Sequence, residues 1–216
     1  MGNSVSHHSL QEEVVLVVDF GAQYAQLIAR RVRQAGVYSE IVSHKITAAQ
    51  VVAKKPKAIV LSGGPSSVYE NGAPNLDSEI FKTDIPIFGI CYGFQVMANA
   101  LGGVVTKTGN SEFGRTKLIH ENNSKLLKDL PKEFSVWMSH GDSVTQAPAG
   151  FVVTASSVDC PIAAYESSDG KIAGVQFHPE VVHSEYGQTI LKNWLIDVAK
   201  CQPTWTTKNI VEFEIS

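Results

Sequence analysis

Three short runs, residues 14–20, 57–61 and 85–90, are built mainly from Val, Ile, Leu, Ala and Phe. Another, residues 37–42, is a mixed strand-like run rich in Val and Ile, and helix-period segments lie between and after them. A strand that is apolar at nearly every position has no face to give to water. Such strands sit in a parallel sheet covered on both sides. The intervening segments fit that role. Residues 22–35 put Leu27, Ile28 and Val32 on one face and turn Arg30, Arg31 and Arg33 toward water, and Gly36 ends the run. Thr47 can cap a helix running to Lys54, and residues 93–101 form another after the fourth run. This β-α-β-α-β order, with right-handed crossovers, predicts an α/β fold: an open, mostly parallel sheet with helices on both faces.

The second half changes character. Residues 104–107, 115–119, 134–138, 151–156, 162–166 and 172–177 read as short strands, most of them separated by Gly, Pro, Asn or Asp. They predict additional antiparallel strands and a return to the main sheet. Residues 187–199 form a closing amphipathic helix. The expected organisation is a solvated leader over 1–13, one domain over 14–200, and the start of a linker over 201–216. Met1-Gly2-Asn3-Ser4-Val5-Ser6 matches a myristoylation pattern, but no polybasic patch accompanies it and the segment is read as leader.

Charge and cysteine usage exclude several classes. The net charge of −3, without a Lys/Arg stripe, argues against nucleic acid or an anionic membrane as partner. The longest apolar runs fall far short of the roughly 20 residues that span a bilayer. Cys91, Cys160 and Cys201 are sparse and contain no C-x-x-C, which argues against a disulfide framework or structural zinc. A reducing, cytoplasmic setting is expected.

Gly89-Ile90-Cys91-Tyr92-Gly93 follows the fourth apolar run with the spacing of a nucleophile elbow. The chain must turn from strand to helix within very few residues, and flanking side chains would obstruct that corner. The thiol then lies at a helix N-terminus, where the dipole favours the thiolate. A base is expected from another strand end, and Gln176-Phe177-His178-Pro179-Glu180 supplies it. In extended chain His178 and Glu180 face the same way, so Glu180 can orient the imidazole that takes the thiol proton. H-x-E also opens a zinc deaminase signature, but that needs P-C-x-x-C downstream and Cys201 has no partner. His7, His8, His44, His120 and His183 lack such a context. Leu61-Ser62-Gly63-Gly64-Pro65-Ser66-Ser67 is a glycine loop after a strand. It is neither a Walker A nor a dinucleotide fingerprint, and beside a cysteine nucleophile it reads as an oxyanion hole. The donors would be the main-chain N–H groups of Gly63 and Tyr92.

Five stretches now stand in order along the chain: Asp19-Phe20-Gly21-Ala22-Gln23-Tyr24, Ser62-Gly63-Gly64-Pro65-Ser66, Gly89-Ile90-Cys91-Tyr92-Gly93-Phe94-Gln95, Ser139-His140-Gly141-Asp142 and Gln176-Phe177-His178-Pro179-Glu180-Val181. From about residue 14 to 200 the chain resembles the class I, or triad-type, glutamine amidotransferases, with their flavodoxin-like fold. The branch resembled most is the amidotransferase half of GMP synthetases. Tyr92 follows the nucleophile where relatives serving carbamoyl phosphate or anthranilate synthesis usually carry C-L-G-H-Q, and G-G-P stands where they usually have G-P-G.

The resemblance implies hydrolysis of glutamine to glutamate and ammonia by a Cys91-His178-Glu180 triad, the ammonia serving to convert XMP to GMP in purine nucleotide synthesis. It implies that Gln95 and Asp142 hold the glutamine, Asp142 through its α-amino group, and that Ser139, His140 and Gly141 line the same pocket. Without the family, Gly141-Asp142 is equally ordinary turn chemistry. The pocket is favoured because Trp137 and Met138 bring a strand up to it. No metal or cofactor is expected in this domain. ATP and magnesium belong to an ATP pyrophosphatase (synthetase) domain, whose S-G-G-x-D-S loop has no match here, because Pro65 and Ser66 stand where x and Asp would be. That domain is the implied partner, in cis or in trans, and a homodimer is implied for the full-length enzyme. Two rival readings are a stand-alone cysteine hydrolase of related fold, such as a γ-glutamyl hydrolase, and the amidotransferase component of another amide-transfer enzyme. A third, a non-catalytic binding module, is opposed by the intact Cys91, His178 and Glu180.

Overall fold

The structure, a computed structural model, describes residues 13–64, 67–120 and 124–205. The expected leader up to residue 12, Pro65 and Ser66 of the glycine loop, and residues 206–216 of the expected linker lie outside the described residues.

The apolar runs form parallel strands as their composition demands. β1 (Val14–Asp19) lies between β2 (Tyr38–Ser43) and β3 (Ala58–Leu61), and β4 (Ile87–Ile90) follows beside β3. Helices α1 (Tyr24–Gln34) and α2 (Ala48–Lys54) connect the first three, a 3-10 turn over Ser78–Lys82 leads from β3 to β4, and α3 (Tyr92–Ala100) follows β4. Thr47 caps α2 in a reciprocal box: its side chain accepts from Gln50 N–H while the Gln50 side chain accepts from Thr47 N–H. Ala25, Ile28, Ala29 and Val32 of α1 pack with Val15 and Val17 on one face of the sheet. Val51 of α2 and Phe94, Val96 and Met97 of α3 pack with Leu16 and Val18 on the other. The alternation along β1 therefore feeds two cores, which is why it is apolar throughout.

The remaining strands are β5 (Val104–His120), β6 (Glu133–Gln146), β7 (Val152–Ser156), β8 (Ala164–Glu166) and β9 (Ile172–Val175). The nine strands run β2-β1-β3-β4-β9-β8-β7-β5-β6, parallel from β2 through β9 and antiparallel beyond. Two corrections to the sequence reading follow. The runs 104–107 and 115–119 are one strand, β5, interrupted by a register shift against β6 between Lys107 and Glu112. The strand expected to stop at Met138 continues to Gln146, so Ser139-His140-Gly141-Asp142 lies inside β6 and not in a turn. The irregularity in β5 lets β6 run on without a break, and Gly141 is accommodated as a strand residue.

The closing helix begins as α4 (Gly187–Lys192) and widens into a π-helical stretch over Asn193–Val198. The chain then doubles back. Cys201 N–H bonds to the Leu195 carbonyl, Gln202 N–H to the Glu13 carboxylate, and Trp205 N–H to the Gly36 carbonyl. Trp205 packs on Tyr38, with ring centroids 4.9 Å apart. A Cβ on Gly36 would come within 2.9 Å of Pro203. The described part of the expected linker thus lies against the β2 edge. Among the described residues no helix is long and apolar enough to cross a membrane.

Candidate active site

Cys91 stands between β4 and α3 with φ 51° and ψ −104°, a conformation that costs a non-glycine residue about 1–3 kcal/mol. Three contacts hold it there. Its own N–H bonds to the Val175 carbonyl of β9 at 2.9 Å. A Cβ on Gly89 would lie 2.8 Å from the Phe94 backbone, and one on Gly93 would lie 2.6 Å from the Leu61 carbonyl oxygen. The flanking glycines therefore answer a close approach of backbones, while the positive φ falls on the cysteine itself. The sulfur lies 3.6 Å from the Ser139 carbonyl oxygen, and Gln176 Nε2 reaches to 3.7 Å of it. Tyr92 opens α3, so its N–H has no carbonyl within the helix to bond.

His178 follows β9, the neighbour of β4, and the two strand ends bring His178 and Cys91 side by side. Its Nδ1 lies 2.8 Å from Glu180 Oε1, and both residues are buried. The segment is clamped from several sides. His178 N–H bonds to the Trp137 carbonyl, and the Ser184 hydroxyl donates to the His178 carbonyl while accepting Trp137 N–H. Arg31 Nε donates to the Glu180 carbonyl at 2.8 Å. This corrects the expectation that Arg31 faces water: it is partly buried and ties α1 to the triad. The His178 ring sits between the Tyr24 ring, 4.9 Å away by centroids, and Gly63, where a Cβ would lie 3.2 Å from the imidazole Cε1. Burial works against an imidazolium here, but the charge and hydrogen bond of Cys91 and those of Glu180 outweigh it, and the His178 pKa is pushed up to about 11.

A cleft of about 360 Å³ opens in front of the sulfur, lined by Cys91, Tyr92, Gln95, Ser139, Gly141 and Asp142, with Lys107 and Phe113 on the antiparallel side. Gly64 also lines it, and a Cβ there would come within 2.5 Å of the Tyr92 ring. Gly63 lies behind the cleft, against His178. The expected glutamine-holding residues divide in their geometry. Gln95 spends its amide on the Asp142 carbonyl at 2.7 Å and on Gln176 at 3.1 Å. His140 borders the cleft, but its ring bonds to Glu112 at 3.1 Å. Asp142 is buried, and its Oδ2 has no partner among the described residues. An unsatisfied buried carboxylate oxygen bordering a cleft has room to accept a hydrogen bond from a donor entering that cleft. Glu112, His140 and Cys160 bring a carboxylate, an imidazole and a thiol within 4.8 Å of one another. All three are engaged in hydrogen bonds, and burial first, then the Glu112 charge, push the Cys160 thiol up to about 12.

Sequence reasoning missed Tyr24, Arg31, Glu112 and the sulfur contact of Gln176. Tyr24 and Gln176 belong to stretches that were singled out, whereas nothing local distinguishes Arg31 or Glu112.

Residues 16–198 match the family described as glutamine amidotransferase class-I. Among curated relatives, a GMP synthase (glutamine-hydrolyzing) of Thermobifida fusca is 57% identical over 94% of this chain, and one of Corynebacterium glutamicum is 58% identical over 92%. The chain spans 39% of the length of the first and 38% of the second. Among solved structures, a Thermoplasma acidophilum protein described as a GMP synthase subunit superposes with a TM-score of 0.78 at 30% identity, over 95% of this chain and 98% of its own. A glutamine amidotransferase from Thermotoga maritima shares the fold, with a TM-score of 0.62 at 21% identity over 94% of this chain and 92% of its own. With its matched region running from β1 to the closing helix, the chain belongs to the class I glutamine amidotransferase family.

Proposed function

We propose that this chain is the glutaminase part of a GMP-forming synthetase, releasing ammonia from glutamine for the amination of XMP. The observation that carries the reading is Cys91, held at positive φ on a cleft, with the paired His178 and Glu180 against its sulfur. The sulfur attacks the glutamine carboxamide carbon, and the N–H groups of Tyr92 and Gly63 receive the oxyanion. His178 gives its proton to the departing ammonia. It then takes one from water as that water cleaves the γ-glutamyl thioester, and Glu180 stabilises the imidazolium in both steps. Asp142 receives the α-amino group of the substrate, and Gln95 fixes the Asp142 backbone.

The relatives' greater length and the likeness to them support a division of labour with a partner. The relatives named GMP synthase continue well beyond the matched region, and the T. acidophilum protein matches nearly end to end. An ATP pyrophosphatase domain, covalently attached or separate, would bind ATP, magnesium and XMP. This domain would use no cofactor of its own and would work in the cytoplasm. Ammonia release should be measured from glutamine and from γ-glutamyl peptides, with and without a synthetase domain charged with ATP and XMP. Acceleration by the charged partner, for glutamine alone, is the expected result. Preferential cleavage of γ-glutamyl peptides would make the chain a hydrolase of a different kind.

A further inference from the structure

Glu112 is a carboxylate buried behind His140, which lines the cleft, and the chemistry above does not use it. Acidic side chains are almost never buried without partners, and Glu112 has two. Its oxygens accept from the Ser157 hydroxyl at 2.7 and 3.0 Å, and Oε2 lies 3.1 Å from His140 Nε2. The opposite nitrogen of the same ring, Nδ1, lies 3.0 Å from the Asp142 carbonyl oxygen, with the Ser143 hydroxyl at 3.3 Å. Glu112 and His140 are cross-strand partners directly after the register shift in β5. The shift brings the carboxylate opposite the imidazole, and the imidazole reaches two residues along β6 to Asp142. That carbonyl also accepts Gln95 Nε2 at 2.7 Å. Asp142 is therefore held by its backbone from two sides, while its buried Oδ2 has no partner among the described residues.

We propose that Glu112 is a positioning residue for glutamine: through His140 it fixes the Asp142 carboxylate where the substrate α-ammonium group must sit. This rests on the reading of Asp142 as the α-amino receptor. The charge chain runs carboxylate, imidazole, carbonyl, carboxylate, and its last member meets the ligand. Ser157 completes it from the far side by directing its hydroxyl at Glu112 and accepting Cys160 N–H at 3.1 Å. A hydrogen-bonded network in this low-dielectric wall holds its geometry far more firmly than an exposed one. Removing one charge while keeping the shape loosens Asp142 and leaves the nucleophile untouched.

The test is equilibrium binding to the whole chain carrying Cys91→Ala, so that ligand binds without turnover. Two ligands are compared by calorimetry: glutamine, and glutaramate, which is glutamine without its α-amino group. Glu112→Gln in this background should weaken glutamine about tenfold, the scale of a displaced charge-assisted hydrogen bond, and leave glutaramate unchanged. Ser157→Ala should act in the same direction more weakly, and it carries the test if Glu112→Gln does not fold. Asp142→Asn should also weaken glutamine selectively, and adding Glu112→Gln to it should cost little more, because both act on one contact. If Asp142→Asn weakens glutamine but neither Glu112→Gln nor Ser157→Ala does, the positioning role is wrong. Equal weakening of both ligands by the Glu112 or Ser157 change would mean a merely structural role and would also overturn it. Unchanged glutamine binding in Asp142→Asn would instead overturn the reading of Asp142 itself.

Discussion

Three thiols are buried, and their surroundings differ in what they permit. Cys160 and Cys201 are packed into the interior away from the cleft, and burial, the leading cause in each case, pushes both thiols up to about 12. Cys91 instead faces a cleft at a helix N-terminus with His178 beside it. A glutamine-mimicking diazoketone should therefore label Cys91 and spare the other two, and peptide mapping of the labelled chain reads the outcome directly. The His178 proton gives a second handle. Its folded pKa of about 11 stands above the ordinary 6.5, so the native state holds this proton more tightly than the unfolded chain does. The stabilisation it brings is complete below 6.5 and is lost as pH rises through the folded value. The largest raising influence is Cys91, so Cys91→Ala should move the His178 titration downward in an NMR pH series. An unmoved titration would separate the two residues electrostatically. Glu180→Gln should retain the fold and slow glutamine turnover by about 10²–10⁴-fold, because the amide no longer stabilises the imidazolium. Addition of zinc should not restore the rate.

Among the elements, the elbow shows how a local motif becomes a packing constraint. Gly93 meets Leu61 of β3 through its backbone, and α3 lies against that strand only because no side chain intervenes. Gly93→Ala should destabilise the domain by about 1–3 kcal/mol, read as a lower denaturant midpoint, and should displace Cys91. The same contrast explains what was legible from sequence. The elbow, the His178–Glu180 pair and the parallel strands are each written in residues adjacent along the chain, where strand alternation and turn chemistry act directly. The extension of β6 through Asp142 was not legible, because it depends on the irregularity of β5 between Lys107 and Glu112. Arg31 on Glu180 and Glu112 on His140 join residues far apart in sequence. Only the closed fold brings them together, and an arginine on a helix face reads as solvated until the opposing element is known.

Over the whole molecule, Cys91 and His178 come from adjacent parallel strands β4 and β9, at the carboxyl ends where open α/β sheets place ligands. The facing wall comes from β6, an edge strand of the order, whose Trp137 carbonyl accepts the His178 N–H. On the proposed reading, ammonia production and ammonia use are separate functions, joined by passage of one small molecule. In the enzyme assembled with its synthetase domain, Cys91→Ala should abolish GMP formation from glutamine. Synthesis from added ammonium salts should stay within about threefold of the unmodified enzyme, because only the glutamine step needs the thiol. Both rates can be read from the same preparation by following GMP. Loss of the ammonium-dependent reaction to the same degree, in a protein whose melting temperature is unchanged, would mean that Cys91 serves the synthetase chemistry as well.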